Sequence, residues 1–209
     1  MSVENVYEAV VAGDADAAAT HVQTALDAGV APAKILGEGC IAAMGHVGRQ
    51  FEQGEAFVPE MLIAARAMQT SMNILRPHLA EDEIVSSGKV VVGTVAGDLH
   101  DIGKNLVGIM MEGAGFEVVD LGTDVEPEVF IEAVRKHEPD LIGMSALLTT
   151  TMPSMTSTIE TLTEAGLRDR VKVLVGGAPV TQQFADEIGA DGFAPDASSA
   201  ARKAKELLK

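Results

Sequence analysis

One histidine in this chain sits among carboxylates where a turn would ordinarily be bland. The stretch VVVGTVAGDLHDIGKNLVGIMMEGAGFEVVDLG, Val90 to Gly122, is entered by an apolar run of strand type and left by an apolar helical pattern. Asp98, His100, Asp101, Gly103 and Lys104 crowd the junction. Asp and Gly alone are ordinary turn residues. A phosphate loop needs four residues between its glycines and then Lys with Ser or Thr. Here five residues separate Gly97 from Gly103, and Asn105 stands where the hydroxyl belongs. No G-x-G-x-x-G is present, and a phosphorylatable receiver aspartate would want an acidic cluster and has no use for His100. What remains is His100 as a metal ligand with Asp98 behind it. A ligating imidazole uses one ring nitrogen and donates the other N–H to a carboxylate, which fixes its tautomer and couples ligation to proton uptake. One histidine is too few for zinc. The other four, His21, His46, His78 and His137, lie elsewhere without H-x-x-E or C-x-x-C spacing. A lone protein ligand makes sense when a cofactor supplies the remaining bonds, as a macrocycle does.

The elements that must position this turn have two rhythms. Up to about Ala80 the pattern is helical. Asp14 can cap a helix carrying Ala18, Val22, Ala25 and Leu26, Gly29 ends it, and Pro32 opens the next. That helix puts Leu36, Cys40, Met44, Val47 and Phe51 on one face, and a further stripe runs Met61, Ala65, Met68, Met72, Leu75 between Pro59 and Pro77. Four helices of this length joined by short loops make an antiparallel bundle. After the polar segment HLAEDEIVSSGK the pattern becomes strand, turn, helix, repeated. Strands are expected at Lys89–Ala96, Phe116–Leu121, Asp140–Ala146, Lys172–Val175 and Gly192–Ala194, with helices that include EPEVFIEAVRKH and DASSAARKAKELLK. Nearly continuous apolar strands separated by helices imply an α/β, doubly wound parallel five-stranded sheet of flavodoxin or Rossmann type. The expected domains are 1–85, a helical cap, and 86–209, the α/β domain. In such sheets the site lies beyond the carboxyl ends of the strands, where strand order reverses.

Composition limits the partners. Of 209 residues 47% are hydrophobic and 22% charged, so the chain is globular. Aromatics are 3%, with no Trp and ten Met, which leaves the core to aliphatic residues. A net charge of −16, with fifteen scattered Lys and Arg, argues against a nucleic-acid partner. A single cysteine, Cys40, excludes an internal disulfide and is consistent with a reducing compartment. No apolar run approaches the roughly 20 residues of a membrane helix, and the N-terminal stretch lacks the basic and apolar regions of a signal peptide. A cytoplasmic location without membrane partners is expected. Cys40 and His46 are expected to face the bundle interior or solvent, and His137 to place favourable charge at a helix C-terminus.

Asp98-Leu99-His100-Asp101-Ile102-Gly103 matches the D-x-H-x-x-G signature of cobalamin-binding domains, and GTVAGDLHDIGKNLV closely resembles the small corrinoid proteins of methyl-transfer systems and the cobalamin module of methionine synthase. MGHVGRQFEQGEAFVPEMLIAARAM is similar to the family's helical cap, and GMSALLTTTM and VLVGGAPVT to its second and third binding turns. The resemblance spans nearly the whole chain. It implies a corrinoid bound base-off and His-on, its nucleotide tail buried beside the sheet, in methylcobalamin, cob(I)alamin and hydroxocobalamin forms. His100 would be the metal ligand, with Asp98 and Thr151 continuing its relay. Thr151 stands where the family places a hydroxyl, with Pro153 just after. Gly97, Leu99, Asp101, Ile102, Gly103, Leu147 and Thr149 would line the corrin, and Ser145 would bond the displaced base. Gly93, Gly97, Gly103, Gly176, Gly177 and Ala178 would leave room for the tail. Phe57, Met61 and Phe51 would cover the upper cobalt face, with a hinge near Glu81–Gly88.

The resemblance also implies a methyl carrier. A substrate-specific methyltransferase would deliver the methyl group of a methylamine, methanol or methoxylated compound. A second methyltransferase would pass it to a thiol such as coenzyme M or to tetrahydrofolate, and a reductive activase would restore the cobalt. After cap, linker and tail domain are assigned, no residues remain for a substrate barrel. Three other readings stay open: a cobalamin-dependent sensor, the small subunit of a mutase, against which the helical cap speaks, and a flavodoxin-like domain that binds no cofactor.

Overall fold

The computed structural model describes residues 3–79 and 87–209. Two compact units divide the chain: Met1–Ser86 with Gly113–Gly115, and Ser87–Glu112 with Phe116–Lys209. Residues 80–86, which hold most of the expected linker and hinge, lie outside the described residues.

The first unit is built from α1 (Val3–Val11), α2 (Ala15–Asp27), a continuous helical rod and α5 (Val58–Leu75). The rod runs as α3 (Pro32–Lys34), a π-helical segment (Ile35–Ile41) and α4 (Ala42–Glu52). Asp14 caps α2 by accepting from the Ala17 N–H at 2.9 Å, and Gly29 follows the helix at φ +78°. The π segment is a departure from the expected regular helix. Gly39 within it comes so close to α1 that an added Cβ would meet Val6 Cγ1 at 3.1 Å. Its widened turn still leaves Leu36, Cys40, Met44 and Val47 buried together. Burial pushes the Cys40 thiol up to about 11, against a lowering hydrogen bond with Ser71, so it is no nucleophile at neutral pH. The apolar stripe of α5 is rotated from the expected one. Met61, Ala64, Met68, Ser71 and Leu75 are buried, whereas Ala65 and Met72 are half-exposed.

The second unit alternates strand and helix: β1 (Lys89–Thr94), α6 (Ile102–Gly113), β2 (Glu117–Asp120), α7 (Pro127–His137), β3 (Leu141–Ser145), α8 (Pro153–Glu164), β4 (Lys172–Gly176), α9 (Gln182–Glu187), β5 (Gly192–Ala194) and α10 (Ala197–Leu207). All strands pair in parallel in the order β2-β1-β3-β4-β5. The order reverses between β1 and β3, so the turns that follow these two strands diverge to opposite faces and leave a crevice. His137 does close α7, one residue before Glu138 at φ +46°.

The two faces of the sheet differ in side-chain size at the carboxyl ends of the strands. Val91, Val95, Ile142, Met144, Val173 and Val175 pack with Phe130, Ile131, Val134, Met155, Ile159 and Leu162 of α7 and α8. The expectation that Gly93 leaves space for a ligand is corrected here, because it lies on this face under Phe130, whose Cζ would be 2.8 Å from an added Cβ. In the last register row Thr94 pairs with Ser145 and Ser145 with Gly176, and their side chains point to the other face. The buried side of α10, which follows β5, is all small: Ala197, Ser198, Ser199, Ala200, Ala201 and Ala204.

Gly177 sits at φ +127°, where an added Cβ would lie 1.9 Å from the Ala146 carbonyl oxygen. Gly166 also has positive φ, +67°, but open space around it. Gly166→Ala is expected to cost about 1 kcal/mol, the conformational term alone. Gly177→Ala should cost about 3 kcal/mol or more, because backbone must move as well. Denaturant unfolding of the two variants compares them directly.

Candidate functional site

The β1–α6 turn and the β3–α8 turn meet at one carboxylate. Asp98 has no solvent exposure. Its Oδ1 accepts from the His100 N–H at 3.0 Å and contacts His100 Nδ1 at 2.7 Å. Its Oδ2 accepts from Leu147 N–H at 2.7 Å, Leu148 N–H at 3.3 Å and the Thr151 hydroxyl at 2.8 Å. Burial alone would raise its pKa, but the hydrogen bonds from His100, Leu147 and Thr151 outweigh it and hold the carboxyl well below its ordinary range. An ionised Asp98 is an acceptor only, so the N–H at His100 Nδ1 is the donor and Nε2 is the nitrogen with a lone pair. Nε2 has no hydrogen-bond partner among the described residues, and the His100 side chain is 53% exposed.

Around that imidazole the chain exposes apolar side chains. Leu99 is 72% and Ile102 76% exposed, and Leu147 and Leu148 stand exposed on the facing turn. Gly97 is exposed at φ +80°, and an added Cβ at Gly103 would meet nothing within 4 Å. Asp101 is exposed and accepts from Asn105 Nδ2 at 3.1 Å. Thr149 is exposed and Ser145 half-buried, and neither hydroxyl has a partner among the described residues. Gly176 is half-buried and Ala178 exposed on the β4–α9 turn, which Gly177 presses against Ala146. The structure thus brings together Asp98, His100, Thr151 and Leu147 directly, with Gly97, Leu99, Asp101, Ile102 and Gly103 on the same turn.

Phe57, 65% exposed, precedes α5, and its N–H donates to Glu60 Oε2 at 3.0 Å. Leu62 and Ile63 are exposed beside it. Met61 is fully buried and Phe51 half-buried, so Met61 fills a core position rather than presenting a face to a ligand. The expectation for Met61 is corrected accordingly; the 3.6-residue period turns neighbouring positions 61 and 62 about 100° apart.

Sequence reasoning missed three residues that hold the turn, Thr94, Asp120 and Asp124, and gave no role to a fourth, Lys104. The buried Thr94 hydroxyl donates to the His100 carbonyl at 3.0 Å. Asp124 accepts from the Gly97 N–H at 2.7 Å. Lys104, almost fully buried, pairs with Asp120 and donates to Asn105 Oδ1 at 2.7 Å. A hydroxyl ending a valine run was the available signal for Thr94. Nothing local marked Asp120 or Asp124.

The donor set fits a metal that brings its own ligands. Among the described residues no group of three or more His, Cys, Asp or Glu is placed to hold an ion. One open imidazole nitrogen on an apolar, glycine-bearing rim would supply a single protein ligand, which suits a metal held by a macrocycle. A family model described as B12 binding domain matches residues 88–203, and a second of the same description matches residues 3–76. The chain belongs to the B12-binding domain family. It is 45% identical over 203 residues to trimethylamine corrinoid protein 1 of Methanosarcina acetivorans, covering 96% of this chain and 94% of that one. A novel cobalamin-binding protein from Desulfitobacterium hafniense, a crystal structure, superposes over 100% of both chains with TM-score 0.85 and 32% identity. A chain of the methanol:cobalamin methyltransferase complex from Methanosarcina barkeri matches 99% of this chain and 79% of its own length, with TM-score 0.87 and 29% identity. No helix among the described residues is long and apolar enough to cross a membrane.

Asp98→Asn replaces an acceptor oxygen by an amide that cannot accept. If Nδ2 takes the place of Oδ2, Leu147 N–H loses its partner, a loss of about 1–3 kcal/mol by denaturant unfolding. The pH dependence follows from the depressed folded pKa. The unfolded chain takes up a proton near its ordinary value of 3.8 while the folded one does not, so Asp98 stabilises above that value and the contribution is lost as pH falls below it. Unfolding midpoints from about pH 6 to about pH 3 should fall less steeply in Asp98→Asn than in the parent.

Proposed function

We propose that this chain is a methyl-carrying corrinoid protein in which His100 is the protein ligand to cobalt and the corrinoid is bound base-off. The observation that carries the reading is the imidazole itself. Its Nδ1 is tied to a buried carboxylate and its Nε2 is free on an exposed apolar rim, the arrangement of a ligating histidine with a fixed tautomer. When bound, the corrinoid supplies a cobalt atom that carries a methyl group from a substrate-specific methyltransferase to a second one acting on a thiol such as coenzyme M or on tetrahydrofolate.

The chain's own residues hold, orient and exclude. Asp98 fixes the ring and balances positive charge on it. Thr151 Oγ1 lies 2.8 Å from Asp98 Oδ2 and 2.9 Å from the Leu148 carbonyl, so its one proton has two acceptors and the hydroxyl can turn between them. Leu99, Ile102 and Leu147 offer apolar contact to a flat ring, with Gly97, Asp101, Gly103 and Thr149 at its edge. Ser145 and Ala178, with the small side of α10, mark the face where a nucleotide tail would find no bulky side chain, whereas Gly176 and Gly177 lie against the Ala194 and Ala146 carbonyls and do not leave the room expected of them. The Ser145 hydroxyl, without a partner among the described residues, would bond the tail's base. The helical unit has Phe57, Leu62 and Ile63 available as apolar cover. Methylamine donors are supported by relatives named trimethylamine and dimethylamine corrinoid proteins, and methanol by the methanol:cobalamin methyltransferase complex. A reductive activase is the further partner of such a carrier.

Reconstitution with hydroxocobalamin tests the ligation. The parent should give a base-off, histidine-ligated absorbance spectrum, and His100→Ala should lose it and bind the cofactor about 100-fold more weakly. An unchanged spectrum in His100→Ala would sink the assignment. The reduced, loaded protein should then take a methyl group from a methylamine or methanol through a matching methyltransferase and release it to coenzyme M. Turnover with adenosylcobalamin in place of methyl transfer would mark a mutase subunit.

A further inference from the structure

Two residues break local rules, and both breaks act on the turn that carries His100. Thr94 is the last residue of β1, following KVVVG, and has no solvent exposure. A buried hydroxyl in a valine-rich strand costs desolvation unless it is bonded, and a valine there would fit with about the same volume. Its hydroxyl is used on one acceptor, the His100 carbonyl at 3.0 Å. Asp124, after β2, is one of two non-glycine residues with positive φ among the described residues, at +54°. Glycine would adopt that conformation more cheaply. The side chain that glycine lacks is the one bonded to the Gly97 N–H at 2.7 Å, and the Asp124 N–H donates to the Asp98 carbonyl at 3.0 Å. Asp124 therefore grips the Gly97–Asp98 segment from both sides, as donor and as acceptor.

We infer that Thr94 and Asp124 are positioning residues for the cobalt-ligating imidazole, an inference that rests on the ligand role proposed for His100. Asp98 orients the ring, but it can do so only if its own main chain and that of His100 are fixed. Thr94 fixes the carbonyl of His100, and Asp124 fixes the Ala96–Gly97 peptide through its N–H and the Asp98–Leu99 peptide through its carbonyl. Neither side chain touches the ring. With these bonds gone the turn samples other conformations, and the imidazole is on target for a smaller fraction of the time. The role of Asp124 is geometric, not electrostatic. Asparagine, which also tolerates positive φ and keeps the acceptor oxygen, should replace it.

The test uses the full chain grown with 15N-histidine, loaded with hydroxocobalamin and reduced by one electron to the cobalt(II) state. A nitrogen ligand splits the paramagnetic resonance lines, into triplets for 14N and doublets for 15N, so labelled histidine is told apart from benzimidazole and from added 14N imidazole. Imidazole is then titrated until half of the doublet signal is replaced. Removing one hydrogen bond of about 1 kcal/mol shifts such an equilibrium about fivefold. Thr94→Val and Asp124→Gly should each lower the midpoint imidazole concentration by about that factor, and Thr94→Ser and Asp124→Asn should restore it. In the cofactor-free protein the first pair should also speed exchange of the His100 amide about fivefold, measured by NMR. Midpoints unchanged in Thr94→Val and Asp124→Gly would overturn the inference while leaving the ligand role intact. So would an Asp124→Asn midpoint as low as that of Asp124→Gly, since charge would then be the cause. A parent protein without the doublet would remove the ligand role and this inference with it. Should Thr94→Val fail to fold, Asp124→Gly, Asp124→Asn and the amide exchange decide the outcome.

Discussion

A single buried anion holds the two turns at the switch point together. The Asp98 carboxylate is met by donors from its own turn, His100 N–H and the His100 ring, and by donors from the next strand's turn, Leu147 N–H, Leu148 N–H and Thr151 Oγ1. Removing a carboxylate from water is costly, and only such a set of donors makes it tolerable. The set exists because β1 and β3 are neighbours in parallel register, with Thr94 beside Ser145. In a sheet of another strand order residues 98 and 147–151 would lie apart, and Asp98 could not stay both charged and buried. The chemistry of the site is in this sense a consequence of topology.

The same register divides bulk from space. Rows that place Val91 beside Ile142 and Val173 face α7 and α8, where large aliphatic side chains and Phe130 fill the layer. The final row, Thr94, Ser145 and Gly176, faces the other way, toward the side on which right-handed crossover puts α6. Alternation of side chains along each strand confines the small residues to this end row, because Val90, Val92, Leu141 and Leu174 on the same face are bulky and buried. Gly93 admits a neighbour's ring, and Gly176 in the end row lies against backbone, with the Ala194 carbonyl oxygen 3.0 Å from where its Cβ would be.

Much of this was legible because the signals were local. Asp98 and His100 are two residues apart, so a carboxylate behind an imidazole could be read from spacing. Asp14 before a helical stripe and apolar runs bounded by turn residues placed the elements within a residue or two of where they are found. Side-chain destinations that depend on three-dimensional neighbours were not legible. Met61 looked like ligand cover because it stands near Phe57 in sequence, yet helical rotation buries it and exposes Leu62 and Ile63. Gly93 looked like space, but Phe130, thirty-seven residues on, occupies it. Nothing within ten residues of Asp124 indicates that its carboxylate is spent on Gly97. The π-helical segment likewise answers to the approach of α1 at Gly39, a contact that spacing alone does not encode.

The contrast in exposure between Asp98 and His100 bears on the ligand role proposed for this histidine. The carboxylate is wholly buried and the ring is half in solvent. With a metal or a proton at Nε2 the Asp98 contact would be at its strongest, because a hydrogen bond between charged partners is stronger than one with a neutral donor. With Nε2 empty, the ring is neutral, yet Asp98 keeps main-chain donors at His100, Leu147 and Leu148 and the Thr151 hydroxyl. The anion is therefore never left buried and unpaired, the condition that makes breaking an ion pair expensive. A histidine supported only by a salt bridge would pay that cost each time its bond to a metal was broken. Here main-chain donors carry most of the burden, so the turn can keep one conformation in both states of the ring. That constancy is what a side chain must have if it is to take up and release the same ligand repeatedly.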